Sequence, residues 1–249
     1  MGLLFDGASG VSETQNNADL DITVASTGFS VFFIVEDVGL SDICCKIGAV
    51  NPVDRGWYFG IVFWGAGVTW LDAYSNTAHA YPQIAGIDCT GGLHYISMSF
   101  DPSVGLNGTV YGYADGVAAA PAVLAAQFWA VPNVNTFGIS RNIVGGTGRI
   151  ANSGTLHALA IWQNYVLTQQ DHNILYNGGT HALGSVLKIA PQNLVRYYDL
   201  RGSYGNGATN VVDRIRNTQL TWDVGTEAYN NAFDCYEGKN RFIDGRLVA

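Results

Sequence analysis

Alternation of apolar and polar positions is clearest over residues 91–119, where it predicts two neighbouring strands. In the first strand His94, Ile96, Met98 and Phe100 share one face, and the residues between them share the other. A turn-rich stretch ending in Asn-Gly follows, after which the chain alternates again up to an Asp-Gly pair. Both pairs are favoured in tight hairpin turns. The order of these signals predicts an antiparallel meander.

A second apolar stretch, GFSVFFIVE at residues 28–36, predicts a strand in the middle of a sheet. Every second residue from Phe29 to Val35 falls on one face, and the opposite face is also mostly apolar. Strands that are buried on both faces have this pattern, whereas half-exposed strands alternate. We therefore expect Phe33, together with Phe100 of the meander, to lie in the core between two sheets.

One short helix is predicted over residues 167–178, LTQQDHNILYNG. Thr168 is a favourable N-cap, and Asp171 stands three residues later in the capping-box position. Asn-Gly-Gly ends the segment, because these residues readily adopt the left-handed conformation that closes a helix. From the apolar pattern we expect Ile174 and Leu175 to face the core.

Short blocks in the first 179 residues resemble, in order, those of the laminin-G-like and concanavalin-A-like jelly-roll family. They include LLFDG near the N-terminus, GFSVFFIVE, GWYFGIVFW, the meander and LTQQDHNILYNG. The resemblance implies an all-β fold, an antiparallel two-sheet jelly-roll sandwich with one short helix, over residues 1–179. We predict that residues 180–249 form a C-terminal extension that packs on the sandwich, on assembly partners, or on both.

The final part of the extension, residues 224–249, is predicted to act as an assembly element. It has little apolar periodicity after Trp222 and is richer in charge than the rest of the chain. A segment this poor in core residues is expected to order on a partner or to drape over its own domain. The alternative is that it packs back on the sandwich through Phe233, Tyr236 and Phe242.

Composition and charge exclude several classes of partner. The 249 residues include 12 Lys and Arg against 20 Asp and Glu, a formal net charge of −8, and the cations form no run. Nucleic-acid binding and polybasic membrane attachment both need clustered cations, so neither is expected. No apolar stretch is long enough to span a bilayer, and the N-terminus lacks the pattern of a signal peptide.

The four cysteines predict neither a zinc site nor a disulfide framework. No C-x-x-C pair is present, and the adjacent Cys44 and Cys45 can hardly bridge each other. Buried thiols are the prediction for all four. A disulfide between Cys89 and Cys235 is the alternative.

Catalytic patterns are missing from the sequence, and we predict that the protein is not an enzyme. Glycoside hydrolases of this fold need two carboxylates that face one cleft, in one large family two glutamates four residues apart. Glu13, Glu36, Glu227 and Glu237 include no such pair, and no G-x-S-x-G motif marks a serine nucleophile. His94, on the apolar face of its strand, is predicted to be a core histidine with satisfied hydrogen bonds.

Aromatic residues between positions 57 and 81 are the candidate ligand or interface residues. Exposed aromatic rings stack on sugar faces, but in alternating strands half of such residues must point inward, so core aromatics are the alternative. The candidates are Trp57, Trp64, Trp70, Tyr74 and Tyr81.

No cofactor is expected, although some laminin-G-like domains bind calcium through loop carboxylates. Asp6, Asp72 and Asp88 are the conceivable calcium ligands in this sequence. They form no string of the EF-hand type.

Three functions on this sandwich remain open, because the fold hosts lectins, enzymes and structural modules. The prediction is a bacteriophage virion structural protein, such as a capsid decoration or tail-associated subunit. It would be made in the host cytoplasm and would contact other virion proteins and further copies of itself. The alternative is a carbohydrate-binding module or adhesin that recognises surface glycans, on a virion or elsewhere. An enzyme is the third and least favoured class.

Overall fold

The structure is a computed structural model, and within several strands it describes the backbone alone. It describes residues 2–5, 10–13, 18–22, 26–36, 41–48, 55–63, 68–75, 78–80, 83–85, 88–89, 91–124, 137–139, 154–180, 185–200, 210–216, 219–224, 228–230, 241–243 and 246–248.

Short strands account for most of the described residues. In chain order they are β1 (Gly2–Phe5), β2 (Gly10–Glu13), β3 (Phe29–Glu36), β4 (Ser41–Gly48), β5 (Arg55–Phe63), β6 (Val68–Ser75), β7 (Ala78–Ala80), β8 (Gln83–Ala85), β9 (Leu93–Asp101), β10 (Thr109–Ala114), β11 (Val117–Ala118), β12 (Ala122–Val123), β13 (Gly138–Ile139), β14 (Gly154–Gln163), β15 (Leu194–Asp199), β16 (Asn210–Val212), β17 (Gln219–Val224), β18 (Ala228–Asn230), β19 (Arg241–Ile243) and β20 (Arg246–Val248).

Two nine-stranded antiparallel sheets form a jelly-roll sandwich, as the sequence predicts. The first sheet runs β11-β10-β9-β3-β14-β1-β18, with β12 also beside β10 and β15 also beside β14. The second runs β16-β17-β2-β13-β4-β5-β6-β7, with β8 also beside β6. The predicted meander is the β9–β10–β11 segment, and its Asp115-Gly116 turn has the positive φ angles of a tight hairpin turn.

The main core lies between the two sheets. Phe33 of β3 and Phe100 of β9 are fully buried there, which confirms both predictions. The same buried cluster contains alternate residues of β5, namely Trp57, Phe59 and Ile61. Because successive strand residues point to opposite faces, this set fixes which register positions of both sheets face inward.

A second apolar cluster covers the outer face of the first sheet and explains why β3 is apolar on both faces. Helix α1 (Gln169–Tyr176) and helix α2 (Ser185–Lys188) lie on that face, with Leu175 and Val186 buried against it. Ile174 is 42% exposed, so its predicted core position is wrong, whereas that of Leu175 is confirmed. Neighbouring helical residues are about 100° apart around the axis, so a short helix on one surface seldom buries both.

The predicted capping box begins helix α1. Asp171 N–H donates to Thr168 Oγ1 at 3.2 Å, and Thr168 N–H donates to Asp171 Oδ2 at 2.9 Å. Replacing Thr168 with alanine is expected to lower the free energy of unfolding by about 1 kcal/mol, because the N–H of Asp171 in the first turn loses its acceptor, Thr168 Oγ1. Urea denaturation tests this, with Gln170→Ala, a substitution at an exposed position of the same turn, as the control. Equal losses for the two variants would contradict the role of the cap.

Strands from the C-terminal extension pair within both sheets. β15 pairs with β14 and β18 with β1 in the first sheet, and β17 pairs with β2 in the second. β19 and β20 form a separate hairpin that contains Phe242. Phe233 and Tyr236 lie outside the described residues, so the domain boundary at residue 180 and the assembly role of residues 224–249 stay predictions.

Cys44 and Cys89 are buried, as predicted. Cys235 lies outside the described residues, so the alternative Cys89–Cys235 bridge stays a prediction. The side chain of Cys45 is likewise outside what the structure describes. Over the described parts of the chain, no helix has the length and apolar character needed to cross a membrane.

Candidate functional site

Trp57, the first of the aromatic candidates, belongs to the core. Its side chain is 0% exposed, and its Nε1–H donates to the backbone oxygen of Leu20 at 2.8 Å. Its ring packs against Phe29 and Phe59, with ring centroids 4.8 Å and 5.6 Å away. A ligand cannot reach a ring enclosed in this way, so the prediction of Trp57 as a ligand residue is wrong.

Trp70 and Tyr74 occupy register positions on the face of the sheet opposite to that of Trp57. Both lie on β6, where Trp70 pairs with Val62 and Tyr74 pairs with Tyr58 of β5. These partners alternate with the buried Trp57, Phe59 and Ile61 along β5. The register therefore places Trp70 and Tyr74 on the outer face of the second sheet. The remaining candidates, Trp64 and Tyr81, lie outside the described residues.

Backbone pairing extends this outer face into two rows of residues, which we call the outer rows. The rows are four residues apart along β6, about 13 Å at the rise of an extended strand. The sequence alone did not point to His79 and Gln83, because their strands are only three residues long and their partners follow from register alone. One row holds Tyr58, Tyr74 and His79, and the other holds Val62, Trp70 and Gln83.

The two outer faces of the sandwich differ in what lies on them. Helices α1 and α2 and their apolar cluster cover the first sheet. Within the described residues, the second sheet has no corresponding helix or apolar cluster on its outer face. The two inner faces form the core, and the helices cover the outer face of the first sheet. Among the described elements, none covers the outer face of the second sheet, which is therefore the candidate ligand face.

Ser97 and His172 form the one described serine–histidine pair whose contact resembles that of a nucleophile and its base. The distance from Ser97 Oγ to His172 Nδ1 is 2.7 Å, but His172 Nε2 accepts the N–H of Gly116 at 3.1 Å. The ring proton is therefore on Nδ1, which donates to the serine. A histidine that donates cannot take the serine proton, and both side chains are buried. The pair is structural.

Glu36 is the glutamate for which the structure describes the side-chain contacts. Its Oε2 lies 3.0 Å from Nε2 of His157, a buried residue at a register shift between β3 and β14. The described contact of the Glu36 carboxylate is therefore with a histidine.

His94 has satisfied hydrogen bonds, as predicted, but is half-buried at the edge of the core. Its ring nitrogens contact Asp115 and the backbone oxygen of Gly91. The hydrogen bond to Asp115 is the largest cause of a raised pKa for the His94 imidazole, and burial opposes it.

No described group of three or more His, Cys, Asp or Glu side chains is placed to hold a metal ion. Asp88, one of the conceivable calcium ligands, is exposed. Asp6 and the side chain of Asp72 lie outside what the structure describes, so calcium binding at these residues stays a prediction.

Comparison with known proteins gives similarity of fold. No family model and no curated protein matches the sequence. Among solved structures, a proposed carbohydrate-binding protein from Bacteroides ovatus matches with a TM-score of 0.53 and 16% identity over 93% of this chain. This chain spans 60% of the length of that protein. A heptameric pentraxin from Limulus polyphemus matches with a TM-score of 0.50 and 15% identity over 70% of this chain and 81% of its own.

Proposed function

We propose that this protein is a non-enzymatic carbohydrate-binding domain whose ligand lies on the outer face of the second sheet. The observation that carries the proposal is the pair of outer rows, which bring Tyr58, Tyr74 and Trp70 to one sheet face from two strands. The helices cover the corresponding face of the first sheet. The fold similarity to a proposed carbohydrate-binding protein supports this function over a structural role in a virion.

Aromatic residues on a sheet face suit sugars for a physical reason. The C–H groups on one side of a pyranose ring present a flat apolar surface to an aromatic ring, while polar neighbours bond the hydroxyl groups at the edge. The outer rows supply His79 and Gln83 as such polar neighbours. With about 13 Å between rows, the site fits an oligosaccharide better than a single sugar.

The partners and location predicted from the sequence remain part of the proposal. Glycan recognition is compatible with display on a virion, with contacts to capsid or tail proteins and with a homo-oligomer. The proposed function of the outer rows does not depend on these finer assignments.

Substitution of the two aromatic residues of β6 tests the proposed function. Glycan-array screening of the full chain is expected to find oligosaccharide ligands. Trp70→Ala and Tyr74→Ala are each expected to lower the affinity for the best ligand tenfold or more, which is about 1.4 kcal/mol or above, because each removes one stacking surface. Isothermal titration calorimetry measures the affinities.

Tyr111→Ala is the matched control, because Tyr111 is a half-buried strand tyrosine of β10 in the other sheet. Its binding is expected to equal that of the unaltered protein. An array without ligands, or equal affinities for Trp70→Ala and Tyr111→Ala, would reject the outer rows as the glycan site.

A further inference from the structure

The Asp115-Gly116 turn, between β10 and β11, is held from two sides by two histidines. Asp115 and Gly116 have φ angles of 49° and 84°, and Asp115 also exchanges hydrogen bonds with the backbone of Tyr95. His94 contacts the turn from β9, and His172 contacts it from helix α1. We call His94, His172 and this turn the two-histidine clamp.

The contacts of His94 require a charged imidazolium. One ring nitrogen, Nδ1, lies 2.6 Å from Oδ2 of Asp115, and the other, Nε2, lies 2.5 Å from the backbone oxygen of Gly91. A carboxylate and a carbonyl oxygen can only accept, so both ring nitrogens must carry a proton. Loss of either proton turns one of these contacts into the repulsion of two lone pairs.

The contacts of His172 require the neutral ring. Its Nε2 accepts the N–H of Gly116 at 3.1 Å, so a proton on Nε2 would face another proton. Its Nδ1–H donates to Ser97 Oγ at 2.7 Å. The ring stacks with Tyr113 and with Tyr176, with centroids 5.4 Å and 6.4 Å away, and its burial makes a charge on it unfavourable.

We propose that the two-histidine clamp is a pH-bounded device, which holds the Asp115-Gly116 turn to both β9 and helix α1 only while His94 is charged and His172 is neutral. Two further contacts belong to the same attachment. Gln169 Nε2–H donates to the backbone oxygen of Gly116 at 3.3 Å, and the hydroxyl of Tyr95 donates to the backbone oxygen of Gly179 at 2.8 Å.

The charged and titratable groups around the clamp favour these two states. Asp115 and, at longer range, Asp88 raise the pKa of His94 above its usual 6.5, although burial opposes them. Burial lowers the pKa of His172 from 6.5 to about 4, although Asp115 opposes it. Two further titratable groups, Tyr113 and Tyr176, stack with the ring of His172. Burial is the main cause of a raised pKa of the Tyr113 hydroxyl, and the negative charge of Asp171 contributes to it.

The two shifts limit the clamp in opposite directions. The contribution of His94 is complete below pH 6.5 and is lost as the pH rises through its raised pKa. That of His172 is complete above pH 6.5 and is lost as the pH falls towards 4. The clamp is therefore firmest near pH 6.5. As the pH falls from 6.5 to well below 4, the equilibrium constant for opening of the clamp is expected to increase by up to about 300-fold.

Nuclear magnetic resonance on the full chain tests the clamp. Ring nitrogen shifts are expected to give a pKa above 6.5 for His94 and one well below 6.5 for His172. The exchange protection of the Gly116 amide, taken relative to the core amide of Phe33, is expected to be highest near pH 6.5 and to fall on both sides. The ring titration needs no variant, so it decides the question even if a substitution impairs folding.

Three substitutions distinguish the acid limit of the clamp from its alkaline limit. His94→Gln is expected to remove the alkaline fall in Gly116 protection and to keep the acid fall, and His172→Gln is expected to do the reverse. His157→Gln, a buried histidine that contacts Glu36 instead of the turn, is the control and is expected to keep both. Titration of both clamp histidines on the same side of pH 6.5, or an unchanged Gly116 profile in both clamp variants, would overturn the proposal.

Discussion

Replacing Arg196 with methionine is expected to lower the free energy of unfolding by about 3–5 kcal/mol, because a buried carboxylate would lose its cation. Arg196 is fully buried on β15, and its Nη1 donates to Asp19 Oδ2 at 2.6 Å. Its Nε lies 3.8 Å from Oδ2 of Asp213, which is also fully buried. Methionine keeps most of the apolar stem but supplies neither charge nor donor.

The position of Asp213 makes this loss large. Its carboxylate accepts the N–H groups of Tyr197 at 2.9 Å, Ile215 at 3.0 Å and Arg216 at 3.3 Å, and so fixes the 213–216 turn to β15. Burial nevertheless raises the pKa of Asp213, with these donors and Arg196 opposing it. Without Arg196 the ionised carboxylate would be held in the interior by backbone donors alone.

The pH dependence of the substitution follows from that raised pKa. A carboxyl group with a raised folded-state pKa binds its proton more readily in the folded than in the unfolded chain. The cost of the ionised Asp213 is therefore present above its folded-state pKa and is relieved as the pH falls through it. Arg196→Met should raise the pKa further, so its cost is expected to be smaller at mildly acid pH than at neutral pH.

Urea denaturation at the two pH values measures these losses, and Arg216 offers a matched control. Arg216 Nη2 also pairs with Asp19, at 2.9 Å, but its side chain is 42% exposed. Arg216→Met is expected to cost about 0–1 kcal/mol, since exposed ion pairs contribute little. A double substitution, Arg196→Met with Asp213→Asn, should recover part of the larger loss. Equal costs for Arg196→Met and Arg216→Met would contradict the account.

The sequence could predict the elements whose signals are local. The β9–β10 meander, the Thr168 capping box and the two apolar faces of β3 depend on residues close together in the chain, and the structure has all three. The contact of Arg196 with Asp19 joins residues 177 positions apart. No periodicity or turn signal carries that information, because only the pairing of distant strands brings the two residues together.

The same limit applied to the candidate site. GWYFGIVFW has large apolar or aromatic residues at both phases of its alternation, so the period of two could not show which phase points inward. The register of β5 with β4 and β6, and the burial of Trp57, Phe59 and Ile61, decide it. Trp57 therefore belongs to the core, while Trp70 takes an outer position.

A pair of tryptophan substitutions should separate these two positions by different measurements. Trp57→Ala is expected to lower the free energy of unfolding by about 3–5 kcal/mol, because it leaves a cavity among Phe29, Phe59 and Phe137. Trp70→Ala is expected to have little effect on stability and to weaken glycan binding. Urea denaturation and calorimetric titration, each applied to both variants, measure the two effects.

Trp57→Phe gives the intermediate case. Phenylalanine keeps much of the apolar volume but leaves the backbone oxygen of Leu20 without the Nε1–H donor, and an unsatisfied buried acceptor costs about 1–3 kcal/mol. Its glycan affinity should equal that of the unaltered protein once the folded fraction is taken into account. If Trp57→Phe or Trp57→Ala instead left stability unchanged and abolished glycan binding, Trp57 would be a ligand residue. The register that assigns the faces of the second sheet would then be inverted.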